Sequence, residues 1–343
     1  MNINFETAFV TGATGLLGNN LVKALHSQGV RVKALVRSIA KGQQQCAGLA
    51  NVELVQGDLN DVSAWAPALR GCDVVFHTAA YFRDNYKGGS HWNALQRINV
   101  DGTRTALAHA YEAGVRRWVQ TSSIAVLNGK PGSLIDESHT RAVEDADDYY
   151  RSKILADQTV LDCMEAHPDL FANFVLPGWM WGPADIGPTS SGQLLLDVAK
   201  GKLPGLVPGS FSIVDARDVA QAQIAAAITG RRGERYLAAG QHMTMSELVP
   251  LLGQLCNVKT PRKTIPGPLL MVLAGMQEMY ARITGKPILL SLATVRLMRK
   301  EANRTHFNHT KSEAELKLRF RPLEETLADT LHWYQTHGWL PRG

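Results

Sequence analysis

The sequence predicts an α/β fold, a doubly wound parallel sheet with helices on both faces and a smaller, mostly helical C-terminal cap. Three observations point there. Short β-branched or apolar runs alternate with helical stretches through the first half of the chain. The first such run, Ala8–Thr11, leads straight into the glycine-rich turn Gly12-Ala13-Thr14-Gly15-Leu16-Leu17-Gly18. The alternation breaks at residue 177, where Gly, Pro and Ser accumulate, and from Thr244 onward the pattern is mostly helical. Strands alternating with helices form βαβ units, and their crossovers cover both faces of a parallel sheet.

In chain order, strands are expected at Ala8–Thr11, Val32–Val36, Val52–Gln56, Val74–His77, Trp118–Thr121 and Asn173–Leu176. Helices are expected between them at Leu17–Gln28, Val62–Leu69, Val100–Ala113 and Tyr149–His167. Gly29 and Gly114 stand where helix C-caps need left-handed backbone. A helix over Gln193–Lys200 follows, then a strand–helix unit at Ile213–Val214 and Asp218–Thr229, then a strand at Glu234–Ala238. Thr244 and Glu247 have capping-box spacing for a helix reaching Asn257. The sheet domain is therefore assigned residues 1–176 plus about 213–238, and the cap about 177–212 plus 239–343. Within the cap, Leu269–Ile283 is apolar and helical. It reads first as cap core, with a lid, a membrane-surface helix or a dimer face as alternatives.

The 343 residues suffice for two domains with a proper core. With 45% apolar and 20% charged residues, extended disorder is excluded. No apolar run approaches the ~18–20 residues of a membrane span. The net charge of +5 is mild and scattered, without the basic runs or zinc spacings of a nucleic-acid binder, and it suits an acidic small ligand. Cys46, Cys72, Cys163 and Cys256 are far apart and read as buried small hydrophobes in a reducing compartment. A strand beginning near Thr7 leaves no room for a secretory signal, so a cytoplasmic protein is expected.

A glycine-rich strand–helix turn lets backbone N–H groups approach a pyrophosphate at a helix N-terminus, although the same turn also occurs without a ligand. An NAD-preferring fold usually ends its second strand in Asp or Glu. Here that strand ends in Val36-Arg37-Ser38, and no acid occurs between Val30 and Val52. Arg37 is placed to pair with a 2′-phosphate, favouring NADP over NAD; the plainer reading is a solvated strand end. Asp58 and Leu59 follow the third strand, where a carboxylate serves either as a turn cap or as an acceptor for the adenine amino group.

Tyr149 precedes Lys153 by four residues, which places both on one helix face. A nearby ammonium favours the phenolate and makes tyrosine a usable acid or base. A serine from a strand end, Ser123 or its neighbour Ser122, could hold a carbonyl or alcohol oxygen.

Taken with His77-Thr78-Ala79-Ala80, Asn99-Val100-Asp101-Gly102-Thr103, Thr121-Ser122-Ser123 and Pro177-Gly178, the ordered set resembles the extended short-chain dehydrogenase/reductase family. Within it the chain is similar to the dihydroflavonol-4-reductase-like branch of the NAD(P)-dependent epimerase/dehydratase proteins, over residues 7 to about 220. The resemblance implies a Rossmann-type sheet and Gly12, Thr14, Gly15, Leu16, Leu17 and Gly18 at the pyrophosphate. It also implies Arg37 on the 2′-phosphate, Asp58 and Leu59 at the adenine, Ala79 bordering the cofactor, Asn99 bracing the site, and Pro177 opening the nicotinamide loop. Tyr149 would be the acid/base, Lys153 would bind the ribose and tune Tyr149, and Ser123 would hold the substrate oxygen. A homodimer is implied, paired through the helices beginning near Val100 and Tyr149. The chain departs from the family at Leu176, where Arg is common before Pro-Gly; Tyr150 beside Tyr149 leaves the choice of tyrosine to the spacing with Lys153.

Three functions fit such a set: an NADP-dependent reductase of a ketone or aldehyde, a nucleotide-sugar epimerase with tightly bound NAD, and a non-catalytic dinucleotide binder. The reductase is preferred. The absent strand-end acid counts against the epimerase, and Ile124-Ala125 stand where a 4,6-dehydratase would need an Asp-Glu pair. The intact Ser123, Tyr149 and Lys153 count against a pure binder. The small-molecule substrate would meet the loops Tyr81–Trp92 and Trp179–Ser191, whose Tyr81, Phe82, Tyr86, Trp92, Trp179, Met180 and Trp181 suit a ring-bearing or apolar compound or, equally, form cap core.

Overall fold

The computed structural model describes residues 3–82, 91–284 and 292–341. Its strands are β1 (Thr7–Thr11), β2 (Arg31–Val36), β3 (Val52–Gln56), β4 (Val74–His77), β5 (Arg117–Thr121), β6 (Phe171–Pro177), β7 (Trp179–Trp181), β8 (Ser210–Asp215), β9 (Arg235–Ala238) and β10 (Gln241–Thr244). Its helices are α1 (Leu16–Ser27), α2 (Ile39–Gln45), α3 (Trp92–Leu95), α4 (Gly102–Glu112), α5 (Asp148–Ala166), α6 (Ser190–Ala199), α7 (Ala216–Thr229), α8 (Met245–Leu255), α9 (Gly267–Thr284), α10 (Leu292–Lys300), α11 (Thr310–Leu316) and α12 (Leu323–Thr336).

Seven strands form one sheet in the order β3-β2-β1-β4-β5-β6-β9, every pair parallel. The chain winds outward from β1 to β3 and then resumes at β4 on the other side of β1. That reversal opens a crevice at the carboxyl ends of β1 and β4, the place where doubly wound sheets bind ligands.

The period-two alternation of β1 sends Ala8 and Val10 to one face and Phe9 to the other. On the first face, Leu17, Leu21 and Leu25 of α1 pack with Val219, Ala222 and Ala226 of α7. Each of those leucines contributes about 1.5–3 kcal/mol through burial. On the second face, Phe9, Trp65, Trp118 and Phe174 form the centre, with Phe9 and Trp65 stacked at 5.3 Å. Gly29 and Gly114 follow α1 and α4 with φ of +80° and +94°, as helix termination requires.

Beyond β6 a second sheet, β10-β8-β7, packs with α6, α8 and α12 through Trp181, Leu195, Ile213, Leu248, Leu327 and Tyr334. β8 therefore belongs to the small sheet, although the following α7 returns to the large one, and the 213–238 segment is shared between the two layers. The capping box forms as expected, with the Thr244 backbone N–H donating to Glu247 Oε2 at 2.8 Å.

Several expectations are corrected. Val62–Leu69 is not an α-helix; only a 3₁₀ turn forms over Ala66–Leu69, because Pro67 lacks the N–H that an α-helical ladder needs. The helix expected from Val100 is preceded by α3 and a π-helical turn, Gln96–Asp101, and becomes regular only at Gly102. All four cysteines are free, but only Cys72 is buried. Leu269–Ile283 is not cap core on all sides: Leu270 and Ala274 of α9 are buried with Ile265 and Val295, while Leu269, Val272, Met276 and Met279 face outward. Among the described residues no helix is long and apolar enough to cross a membrane.

Candidate active site

The turn after β1 is closed by backbone. Gly12 has φ +68°, and a Cβ there would lie 2.8 Å from the Ala79 Cα and N at the end of β4. A Cβ on Gly18 would lie 2.2 Å from the Gly12 carbonyl oxygen. The Gly15 N–H donates to Gly12 O at 2.9 Å, and Gly15 caps α1 with no side-chain hydrogen bond and no acid in the first turn. The first N–H groups of α1, at Leu16 and Leu17, are thus left to an external anion, and the exposed Gly15 puts no Cβ in the way. Gln45 donates to Thr14 O at 3.3 Å and ties the turn to α2. These residues fit a dinucleotide pyrophosphate.

A polar chain runs from this turn into the sheet. The N–H groups of Thr78 and Ala79 donate to Thr11 Oγ1 at 3.1 and 3.2 Å, and Thr11 Oγ1 lies 3.0 Å from His77 Nδ1. His77 Nε2 lies 3.0 Å from Thr103 Oγ1, which donates to Asn99 O at 2.6 Å. A hydroxyl has one proton, so Thr103 must accept from Nε2–H and Thr11 must donate to Nδ1. Burial and then the Lys153 charge pull His77 down to about 3, so the ring is neutral at pH 7, as that assignment requires.

From Asn99 the chain crosses to α5. Its side chain accepts from Tyr81 N at 2.6 Å and donates to Tyr81 O at 3.1 Å and to Ser152 Oγ at 3.0 Å. Asn99 thus braces the loop after β4 against α5. Asp147 N-caps α5 by accepting from Tyr150 N at 2.8 Å, which sets the helix phase.

Tyr149, Lys153 and Asp157 follow at intervals of four on one face of α5. The Tyr149 ring meets Phe82 edge-on at 4.7 Å. Lys153 Nζ is buried and donates to Thr121 O at 3.0 Å, at the end of β5. One residue on, Ser122 Oγ donates to buried Asp157 Oδ2 at 2.5 Å. α5 is therefore pinned to the end of β5 at two points. Burial is the largest cause in both, lowering Lys153 to about 8 and raising Asp157 to about 6, and each side chain's charge favours the charged form of the other. Ser122 is committed to Asp157, whereas Ser123 is half-buried and its Oγ accepts from Ala125 N at 3.1 Å, leaving its O–H proton to donate elsewhere. The Tyr150 ring meets the Tyr149 ring edge-on at 6.2 Å, and the Arg141 guanidinium lies 4.8 Å from the Tyr150 ring centre. Arg141 is itself held by buried bidentate bonds to Glu301.

Arg37 is exposed at the end of β2, and Ser38 beside it N-caps α2 by accepting from Lys41 N. Asp58 accepts from Asn60 N at 2.7 Å, so its carboxylate does serve a turn, with one oxygen left for other donors. Leu59 is buried against Gly102. Pro177 ends β6, paired with Ala238. Of the aromatic residues expected near a substrate, Trp181 is core, and Trp179 packs on Phe211 at 4.6 Å while donating to Ser190. Trp92 lies under the Arg151 guanidinium, and Tyr86 falls outside the described residues.

The structure thus gathers Gly12, Ala79, Ser123, Tyr149 and Lys153 around the ends of β1, β4 and β5. Sequence reasoning missed Asp157 and the Thr11–His77–Thr103 relay. Asp157 continues the interval of four already used for Tyr149 and Lys153, and that spacing could have revealed it.

Known proteins resemble this chain along most of its length. The model of the NAD dependent epimerase/dehydratase family matches residues 8–239. A putative dihydroflavonol 4-reductase from Synechocystis sp. is 33% identical, covering 97% of this chain and 95% of that protein. Sterol demethylase protein B from Methylococcus capsulatus is also 33% identical, over 97% and 99% of the two chains. Among solved structures, gox2253 superposes with a TM-score of 0.82 at 32% identity, over 97% of this chain and 99% of that one.

Proposed function

This chain belongs to the NAD-dependent epimerase/dehydratase family and is an NAD(P)-dependent oxidoreductase of the extended short-chain dehydrogenase/reductase type, and from that premise we propose that it is an NADP-dependent reductase of a ketone or aldehyde. The observation that carries the proposal is the end of β2. An exposed guanidinium, Arg37, stands beside the start of α2, and no carboxylate occurs between Val30 and Val52 to receive the ribose hydroxyls of NAD. Arg is suited to a phosphate by its fixed charge and planar donors.

The geometry supports the following roles for the remaining residues. A bound nicotinamide supplies the hydride. Tyr149 donates its phenolic proton to the carbonyl oxygen as that oxygen gains charge, so carbonyl, hydride and proton together give the alcohol. Lys153 spends one N–H on Thr121 O and keeps two for the ribose and for Tyr149, whose phenolate its charge favours. Ser123, unlike Ser122, has its O–H available to hold the substrate oxygen. Gly12, Gly15 and Gly18 admit the pyrophosphate to the N-terminus of α1.

A reductase consumes one cofactor for each product formed, whereas an epimerase returns the hydride to its substrate and consumes none. Purified protein supplied with NADPH and a panel of aldehydes and ring ketones is expected to oxidise the cofactor in one-to-one ratio with alcohol. Interconversion of nucleotide sugars with no net change in cofactor absorbance would overturn the proposal.

A further inference from the structure

Five of the seven exposed large apolar side chains among the described residues lie on α9: Leu269, Val272, Met276, Met279 and Tyr280. Their spacing places them along one stripe of the helix, opposite the buried Leu270 and Ala274. Val272, Met276 and Met279 are each 58–60% exposed, which is far from the burial such side chains normally reach.

Charge decides what covers this stripe. Residues 259–300 contain eight Lys or Arg and one acid, Glu278, so this segment alone carries more positive charge than the whole chain, whose net charge is +5. Lys259, Arg262 and Lys263 are exposed just before α9, and Arg296 and Arg299 are exposed on α10, where Lys300 Nζ donates to Asp145 O at 2.6 Å. Glu278 is spent inside the cap, accepting from Leu292 N at 2.8 Å. An apolar helix face flanked by Lys and Arg matches the anionic headgroup and acyl boundary of a lipid bilayer. A second copy of the chain would set two such basic segments against each other, which like-charge repulsion opposes.

We propose that α9 docks in the plane of an anionic membrane surface, with Leu269, Val272, Met276 and Met279 entering the acyl boundary and the flanking basic side chains meeting lipid phosphates. The proposal does not depend on which reaction the protein catalyses.

The test is co-sedimentation of the full chain with phosphatidylcholine vesicles and with vesicles that also contain phosphatidylglycerol. Binding is expected on the anionic vesicles, weaker at high salt, and absent on phosphatidylcholine alone. The triple variant Val272→Ser/Met276→Ser/Met279→Ser keeps the charge and touches only exposed positions; it should bind about tenfold more weakly or worse with an unchanged unfolding midpoint. A second variant, Arg296→Gln/Arg299→Gln, should lower the salt-dependent part of the binding. Failure of the wild-type chain to bind anionic vesicles at low salt would overturn the proposal, as would equal binding by the triple variant. A fall in oligomeric mass on the triple substitution, without vesicle binding by the wild type, would assign the stripe to a second copy instead.

Discussion

Tyr149→Phe is expected to lower turnover by about 10²–10⁴-fold, the usual contribution of a positioned general acid, while dinucleotide affinity stays within about twofold of wild type. The substitution removes one hydroxyl and keeps the ring that packs edge-on against Phe82 at 4.7 Å. Lys153 stays anchored on Thr121 O, and the glycine turn is untouched. Lost proton transfer is then the change expected to dominate the rate. Tyr150→Phe is the matched control: its ring lies against Arg141, and removing its hydroxyl should leave the rate nearly unchanged. Steady-state rates and a cofactor titration on both variants decide the matter. Full activity in Tyr149→Phe would remove Tyr149 as the acid, and loss in Tyr150→Phe alone would move the role to its neighbour.

Gly12→Ala should weaken both the fold and cofactor binding. At φ +68° a side chain costs about 1–2 kcal/mol, and here its Cβ would also lie 2.8 Å from the Ala79 backbone. Both partners are main chain, so relief requires β1 and β4 to separate at the point where the turn must stay tight. A loss of about 2–4 kcal/mol in urea unfolding is expected, together with at least about tenfold weaker dinucleotide binding. Gly29→Ala provides the comparison. Its φ is +80°, yet nothing lies within 4 Å of the new Cβ, so only the backbone strain should appear and binding should be unaffected. Wild-type cofactor affinity in Gly12→Ala would mean that this turn is not the pyrophosphate site.

The features legible in the sequence are those with local causes. The six strands of the first half and α1, α4 and α5 follow from apolar period, and all lie within a few residues of their expected places. β7 escaped because Trp179–Trp181 is a short run between Pro177-Gly178 and Gly182-Pro183, and β10 because Gln241–Thr244 is largely polar; they are strands because β8 lies between them. Tyr149 and Lys153 were visible through their spacing on α5. Asp157 was not singled out, because an acid on a helix ordinarily faces water, and its burial is decided by Ser122 arriving from β5. The His77 relay depends on three separate elements meeting at one ring. In α9 the apolar residues surround the helix, so the pattern could not say which side the cap covers; the contact of Leu270 and Ala274 with Val295 answers that.

The central claim, a reductase that reads the 2′-phosphate with Arg37, is tested most directly by fluorescence titration of wild type and Arg37→Gln with NADPH and with NADH. A charge-assisted guanidinium–phosphate pair contributes about 1.5–3 kcal/mol, so wild type should bind NADPH at least about tenfold more tightly than NADH, and Arg37→Gln should lose most of that preference. Equal or tighter binding of NADH by wild type, or a site that purifies filled with tightly held NAD, would contradict the account and point to nucleotide sugars as the substrates to test.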